Sequence, residues 1–178
     1  MSNYRRAQEG GATYFFTVVA YRRQPLLTCP DVLDSLRDAF REVQQTNPFK
    51  LDAVVILPDH LHAMWTLPDG DAEFGKRWGM IKRHVSKAVS KAISVPVGDS
   101  MRSRQESGLW QRRFWEHLIR DDADYARHMD YLHYNPVRHG HVERPADWPH
   151  SSFRKCVERG IYPMDWASGN DIEGGFGE

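Results

Sequence analysis

The stretch AVVILPDHLHAMWTL, from Ala53 to Leu67, decides the fold. It begins with a short apolar, β-branched run, Pro58-Asp59 then permits a reversal, and the remaining residues are again rich in strand-forming types. This pattern predicts two antiparallel strands joined by a tight turn. Because side chains alternate across a strand, His60 and His62 are expected to point to the same face of the sheet.

A strand and a helix are predicted before this hairpin. The segment Thr13 to Tyr21 is rich in aromatic and β-branched residues, which favours a buried strand. Thr28 is a predicted helix cap, and Asn47-Pro48 predicts the end of that helix. The apolar positions between these limits recur at helical spacing, which predicts a buried stripe of Val32, Leu33, Leu36, Ala39, Phe40 and Val43.

Two helices and one strand are predicted after the hairpin. Asp71 is the predicted cap of a helix whose apolar stripe is Phe74, Trp78, Ile81, Val85, Val89 and Ala92. Leu109 to Ile119 is predicted to be a strand, preceded by a loop. Asp121-Asp122 start a third helix, which is predicted to end near Asn135 because Pro136 restricts the residue before it.

The order of these elements is β-α-β-β-α-β followed by an additional helix, which predicts an α+β fold of the ferredoxin-like (RRM-like) type. Two helices would cover one face of the antiparallel sheet, and sheets of this kind commonly present the other face to single-stranded nucleic acid. We expect a single domain over residues 1–166. Residues 167–178 are Gly-rich and acidic and are expected to form a flexible tail.

The composition is that of a globular protein. The 178 residues fit one domain, and no apolar run approaches the roughly 20 residues that a membrane span needs. The two cysteines, Cys29 and Cys156, have no zinc-ribbon spacing and suit a reducing compartment. We therefore expect a cytoplasmic protein with no membrane partner.

The distribution of charge is uneven although the net charge is zero. Zero net charge by itself argues against a nucleic-acid partner. Between Lys76 and Arg113, however, ten basic residues stand against Asp99 and Glu106, which leaves this region with a charge of +8. A solvated helix face is the simpler interpretation, and a phosphate-binding surface becomes the better one if a catalytic site lies nearby.

Candidate catalytic residues lie on the hairpin and on the third predicted helix. His60 and His62 can bind one metal ion, and an amide oxygen from Asn135 is a candidate third ligand for magnesium or manganese. Tyr131 lies one helical turn from Asn135, where it can attack a group that the metal polarises. In the alternative interpretation the histidines are ordinary strand residues and the Tyr131 hydroxyl meets solvent.

Five separated motifs carry a resemblance to a known family: NYRR at 3–6, PDHLH at 58–62, WQRRFWEHLIRD at 110–121, DYLHYNPVRHG at 130–140 and DWPHSSF at 147–153. Together they resemble the REP-associated tyrosine transposases, which belong to the single-tyrosine HUH nucleases. The resemblance extends to about Trp166, and the motifs occur in the family's order.

The resemblance implies a metal-dependent endonuclease and strand transferase that forms a covalent 5′-phosphotyrosine. It assigns His60, His62 and Asn135 as ligands of Mg²⁺ or Mn²⁺ and Tyr131 as the nucleophile. Tyr134 is the competing nucleophile because it also precedes the Asn-Pro pair. The implied partners are single-stranded DNA hairpins, namely REP-like palindromes with a flanking tetranucleotide, bound by a nucleoid-associated monomer or homodimer.

Cationic and aromatic residues are the predicted DNA contacts. Trp110, Phe114 and Trp115, or Tyr4, are candidates for base stacking, although core packing is an alternative for all of them and explains Phe114 and Trp115 at least as well. A non-catalytic nucleic-acid-binding protein is the main alternative function, and a metal hydrolase with a water nucleophile is the third. The residues predicted to contact DNA are Tyr4, Arg5, Arg6, Lys82, Arg83, Lys87, Arg112 and Arg113.

Overall fold

The computed structural model of the chain describes residues 9–90 and 108–167. The predicted contacts Tyr4, Arg5 and Arg6 therefore lie outside the described residues. So do the NYRR motif, Ala92 of the predicted helix stripe, the whole of the loop predicted at 94–107 and residues 168–178 of the predicted tail.

Four antiparallel strands form one sheet in the order β2-β3-β1-β4. They are β1 (Thr13–Val19), β2 (Lys50–Ile56), β3 (His60–Thr66) and β4 (Trp115–Leu118). β3 lies between β1 and β2 although it follows β2 in sequence, which is the strand order of the ferredoxin-like fold. The predicted fold class is confirmed.

The predicted hairpin is present with the expected turn. Ile56 pairs with Leu61 and Val55 with His62, so that Leu57 to Asp59 form the reversal. A bulge at Asp52 interrupts the register, and the carboxylate of this buried residue accepts a 2.6 Å hydrogen bond from the Thr66 hydroxyl. The bulge therefore turns Asp52 back onto its own hairpin.

One face of the sheet is covered by α1 (Pro30–Thr46) and α2 (Phe74–Val89). All six predicted apolar residues of α1 are buried there, as are the described members of the α2 stripe. Trp65 of β3 lies at the centre, with its ring stacked on Trp78 at 4.4 Å and tilted against Phe49 at 4.2 Å. Aromatic packing of this kind adds to the free energy gained by burial.

The start of α2 differs from the prediction. The residue before the helix is Glu73, and Asp71 lies two positions earlier, where its carboxylate accepts from the Glu73 backbone N–H and pairs with Arg77 at 2.6 Å. Arg77 is only 2% exposed and also donates to the backbone oxygens of Asn47 and Pro48. Arg77 thus ties the two helices together and is not one of the exposed basic residues between 76 and 113.

The fourth strand is shorter than predicted. The ladder covers only Trp115–Leu118, and Trp110 contributes a single bridge to Ala20. Between them, Gln111, Arg112 and Arg113 are exposed. Three consecutive polar side chains cannot alternate between a buried and a solvated face, so the ladder begins after them.

The other face of the sheet is covered by α3 (Asp122–Arg138) and the short α4 (Phe153–Glu158). Asp121 caps α3 as predicted, by accepting a 2.8 Å hydrogen bond from the Asp124 N–H. The helix does not end near Asn135 but continues through Pro136 to Arg138. Proline has no backbone N–H and so removes one hydrogen bond of the helix. Pro136 is buried, and the backbone N–H of His139 donates to the Asn135 backbone oxygen, so the last turn stays helical.

Two expectations from composition can be compared with the structure. Among the described residues, no helix is both long and apolar enough to cross a membrane. Cys29 and Cys156 are both free thiols.

We predict that His133 makes the fold sensitive to acid. It is fully buried between α3 and α4, and burial lowers its pKa to about 4, from an ordinary value of 6.5. The unfolded chain therefore binds this proton near pH 6.5 and the folded chain only near pH 4, so stability is lost as pH falls through that window. His133→Gln should reduce the loss in unfolding free energy between pH 7 and 4.5 by roughly 2 kcal/mol in urea titrations. An identical pH dependence in both proteins would contradict this prediction.

Candidate active site

His60 and His62 lie on the face of β3 that α3 covers. Their rings are 5.0 Å apart and the two residues are 1% and 0% exposed, while Leu61 between them packs into the opposite core. The Nδ1 atom of His60 lies 2.7 Å from an Asp59 carboxylate oxygen, and that of His62 lies 3.0 Å from the Thr17 hydroxyl. Hydrogen bonds at Nδ1 orient an imidazole and leave Nε2 as the coordinating nitrogen, which is how metal-binding histidines are commonly held.

Tyr131 of α3 packs directly on this pair. Its ring centre is 5.4 Å from that of His62, and the residue is 3% exposed. Phe15 of β1 lies beside both rings, 5.3 Å from His62 and 6.1 Å from Tyr131. The interpretation in which the Tyr131 hydroxyl meets solvent is therefore wrong. The tyrosine that contacts His62 is Tyr131, the residue assigned as the nucleophile. Tyr134 is also buried, at 7%.

Asn135 lies on the same stripe of α3 as Tyr131, one turn further on, and is fully buried. One more turn along this stripe is His139, whose ring is 5.1 Å from that of His60. The stripe therefore begins against His62 at Tyr131 and ends against His60 at His139. Residues four apart share one side of a helix, so Asn135 faces β3 between these two contacts.

His139 was missed by the sequence reasoning. Because the third helix was predicted to end near Asn135, the stripe was not continued to His139. The spacing of Tyr131, Asn135 and His139 is nevertheless regular, with successive members four positions apart. His139 is exposed, as is Arg138, whose guanidinium lies 5.4 Å from the Tyr131 ring centre. The exposed end of α3 thus carries basic side chains next to the buried site.

The donor set of this site fits a divalent cation. Two imidazole nitrogens and one amide oxygen leave coordination positions for water or phosphate oxygens, as Mg²⁺ and Mn²⁺ require. The burial of His60, His62 and Asn135 and the fixed orientation of both imidazoles agree with such a role. The assignment of these three residues as ligands stays a prediction.

The described part of the basic region forms a surface beside β4. Arg83 and Lys87 of α2 are exposed, as are Arg112 and Arg113. Lys82 donates a 2.9 Å hydrogen bond to the Gln111 backbone oxygen and so holds the arginine segment against α2. We call Lys82, Arg83, Lys87, Arg112 and Arg113 the basic surface.

Trp110, Phe114 and Trp115, the described candidates for base stacking, pack against other residues of the chain. Trp110 is 8% exposed, and both it and Phe114 belong to the core beneath α1 and α2. Trp115 packs partly into the opposite core, with its ring 5.8 Å from that of His117. Core packing therefore accounts for these aromatic residues.

No family model matches the chain. It is 44% identical over 168 residues to the REP-associated tyrosine transposase of Escherichia coli, covering 94% of this chain and 92% of that protein. A Haemophilus influenzae protein, whose name assigns the same family provisionally, is 43% identical over 174 residues, 97% of each chain. A solved structure of a REP-associated tyrosine transposase bound to a REP hairpin has 40% identity and a TM-score of 0.77, covering 98% of this chain and all of that one. Near-complete coverage at this identity means that the chain belongs to the REP-associated tyrosine transposase family.

Proposed function

We propose that this chain cleaves and rejoins single-stranded DNA at REP-like hairpins with a flanking tetranucleotide, using Tyr131 as the nucleophile. The observation that carries the proposal is the packing of the Tyr131 ring against His62, one half of an oriented pair of buried imidazoles. The hairpin in the related structure supports the same class of DNA partner for this chain. Such a protein would act in the cytoplasm, at the nucleoid, as a monomer or homodimer.

The proposed cleavage step is a transesterification. The Tyr131 phenol oxygen attacks the scissile phosphorus, the bond from phosphorus to the 3′ oxygen breaks, and that oxygen leaves as a 3′-hydroxyl after taking up a proton. The product is a 5′-phosphotyrosine in which the number of phosphodiester-like bonds is unchanged. A second 3′-hydroxyl can therefore reverse the step and join strands without ATP.

His60, His62 and Asn135 would hold the Mg²⁺ or Mn²⁺ ion in this proposal. When bound, such an ion supplies Lewis-acid stabilisation of the charge that develops on the phosphoryl oxygens. Asp59 and Thr17 keep the two imidazoles in fixed orientations, so that the geometry is organised before DNA arrives.

The phenol proton must leave Tyr131 during attack, because the ordinary pKa of tyrosine is about 10. Water or His128, three residues earlier on α3, is the proposed acceptor. Burial lowers the pKa of His128, which keeps its imidazole neutral near pH 7 and able to take up a proton. The Arg138 guanidinium lies 5.4 Å from the centre of the Tyr131 ring, where its positive charge can attract a phosphate that approaches the ring.

The basic surface is the proposed anchor for the DNA backbone. Arg83, Lys87, Arg112 and Arg113 are exposed on it and can neutralise phosphates. Tyr4, Arg5 and Arg6 remain proposed DNA contacts on the basis of the sequence.

A non-catalytic hairpin-binding protein is the second candidate function. The burial of Tyr131, at 3% exposure, favours it because a nucleophile has to reach the scissile phosphate. The two functions differ in whether a covalent adduct forms, and in both the fold and the hairpin partner are the same.

We predict that Tyr131→Phe abolishes the covalent adduct. A labelled single-stranded hairpin incubated with Mn²⁺ should give a protein-linked product on a denaturing gel, and the variant should lose it by roughly a thousandfold or more, because phenylalanine has no hydroxyl to attack phosphorus. Tyr134→Phe is the matched control and should retain the adduct. An adduct that survives in Tyr131→Phe and disappears in Tyr134→Phe would reassign the nucleophile. Hairpin binding without any adduct in the natural protein would favour the non-catalytic function.

We predict that His60→Ala removes cleavage while hairpin affinity changes by no more than about threefold. Loss of one imidazole leaves too few protein ligands to hold the ion, whereas DNA affinity comes mainly from phosphate contacts. His84→Ala, a half-exposed histidine of α2 that pairs with Glu42, is the control and should cleave normally. Full cleavage by His60→Ala would refute the ligand assignment.

We predict that replacing Arg112 and Arg113 with Ala weakens hairpin binding and makes it less sensitive to salt. Each lost phosphate contact lowers the slope of log affinity against log salt by about 0.7 to 0.9, so the double variant should lose roughly 1.5. Arg41→Ala, an exposed arginine of α1 outside the basic surface, is the control. An unchanged slope in the double variant would remove the pair from the DNA interface.

A further inference from the structure

A second group of potential metal ligands lies between β4 and α3. His117 belongs to β4, and Asp124 and His128 lie one turn apart on α3. One ligand atom from each of these three residues falls within 4.8 Å of the other two. None of them belongs to the proposed His60, His62 and Asn135 set. His128 is a proposed acceptor of the Tyr131 proton only without an ion at this second group, and with one bound, water takes that role.

The Asp124 carboxylate lies between the two imidazoles. One of its oxygens is 2.8 Å from Nε2 of His117, and the other is 3.2 Å from Nδ1 of His128, which also lies 2.8 Å from the Asp124 backbone oxygen. The two rings are stacked, with centres 4.5 Å apart and planes inclined by 17°. In a tetrahedral zinc site neighbouring ligand atoms are about 3.4 Å apart and each imidazole plane contains the ion, so the His128 ring has to turn out of the stack to receive one.

Burial distinguishes this group from ordinary surface residues. Asp124 and His128 are 2% and 1% exposed, whereas the His117 side chain is 23% exposed. The group is therefore enclosed on the α3 side and open to solvent at His117. That opening gives an ion a path of entry and leaves room for a water as fourth ligand.

The charges around Asp124 are compatible with a bound cation. Burial acts to raise the pKa of Asp124, but hydrogen bonds from His117 and from the Arg120 backbone N–H outweigh it and leave the pKa well below its usual range. The guanidinium groups of Arg120 and Arg127 approach the carboxylate at 3.5 and 3.3 Å, and these side chains are 69% and 58% exposed. Exposed ion pairs of this length contribute little, so both groups can swing into solvent when an ion binds.

We propose that His117, Asp124 and His128 form a second cation site, selective for zinc and related transition ions. Two imidazole nitrogens and one carboxylate oxygen, with water as a fourth ligand, match the donors that zinc prefers and differ from the oxygen-rich sets of Mg²⁺. An ion bound here joins β4 to the helix that carries Tyr131 and Asn135. Its direct effect is to brace α3 on the sheet.

The test measures binding of the probe ions Zn²⁺ and Co²⁺ to the full chain after chelator treatment. His60→Ala/His62→Ala removes the proposed active-site pair, and the further loss of zinc binding on His117→Gln in this background assigns the remaining binding to the second site rather than to His139 and His141. Calorimetry with Zn²⁺ and absorption spectroscopy with Co²⁺ should give one equivalent, with a tetrahedral Co²⁺ spectrum. Zn²⁺ should also raise the melting temperature by several degrees, because it binds the folded chain.

His117→Gln separates a metal site from a hydrogen-bonded network. The glutamine amide can still donate to Asp124, but it is a poor zinc ligand, so the fold should persist while zinc affinity drops at least about tenfold. His84→Gln is the matched control and should bind zinc as the background does. If the double-histidine background does not fold, the same comparison is made in the natural protein, where His117→Gln should lower the stoichiometry by one.

Two results would overturn the proposal. One is the absence of zinc binding to the folded double-histidine background at micromolar concentrations. The other is undiminished zinc affinity or stoichiometry in His117→Gln. Either would leave Asp124 as a carboxylate that ties two imidazoles together by hydrogen bonds alone.

Discussion

The packing of α3 across β2, β3 and the Phe15 ring of β1 is the contact on which the rest of the site depends. Phe15, fully buried at the centre of this interface, lies 5.3 Å from His62, 4.9 Å from His128 and 6.1 Å from Tyr131. One apolar ring therefore separates the histidine pair from the Asp124 group and supports the tyrosine above both. A change in how α3 sits on Phe15 would move all three polar groups together.

The two faces of the sheet have different chemistry. Beneath α1 and α2, the stacked rings of Trp65, Trp78 and Phe49 provide a large apolar core. Beneath α3, the sheet buries His60, His62 and Thr17, which cost free energy to desolvate unless they are hydrogen-bonded. The first face supplies the stability that lets the second hold polar groups in fixed positions, a division expected where a fold carries a catalytic site.

The geometry also indicates how DNA would reach the site. Two exposed residues, Arg138 and His139 at the end of α3, lie beside the buried tyrosine and histidines. The proposed active site therefore opens toward a cationic helix end. The basic surface lies beside β4, at the edge of the sheet farthest from β2. In the proposed function, a hairpin that spans both would place its phosphates on the basic surface and its unpaired strand at α3.

The sequence by itself determined the order of elements, the hairpin and the grouping of His60 with His62, because alternation and helical spacing are local properties of the chain. It also carried the motifs of the family, which the relatives confirm. Local rules were wrong where tertiary contacts outweighed them. Pro136 lies inside a helix because its surroundings are buried. Arg77 is buried between two helices, where it donates to backbone oxygens, and is not exposed with the other basic residues. Only the tertiary structure decided that Tyr131 is buried on His62, that His139 reaches His60 and that His117 meets Asp124. These contacts join residues far apart in sequence, and their distances follow from how a whole helix packs on the sheet, which no spacing along the chain specifies.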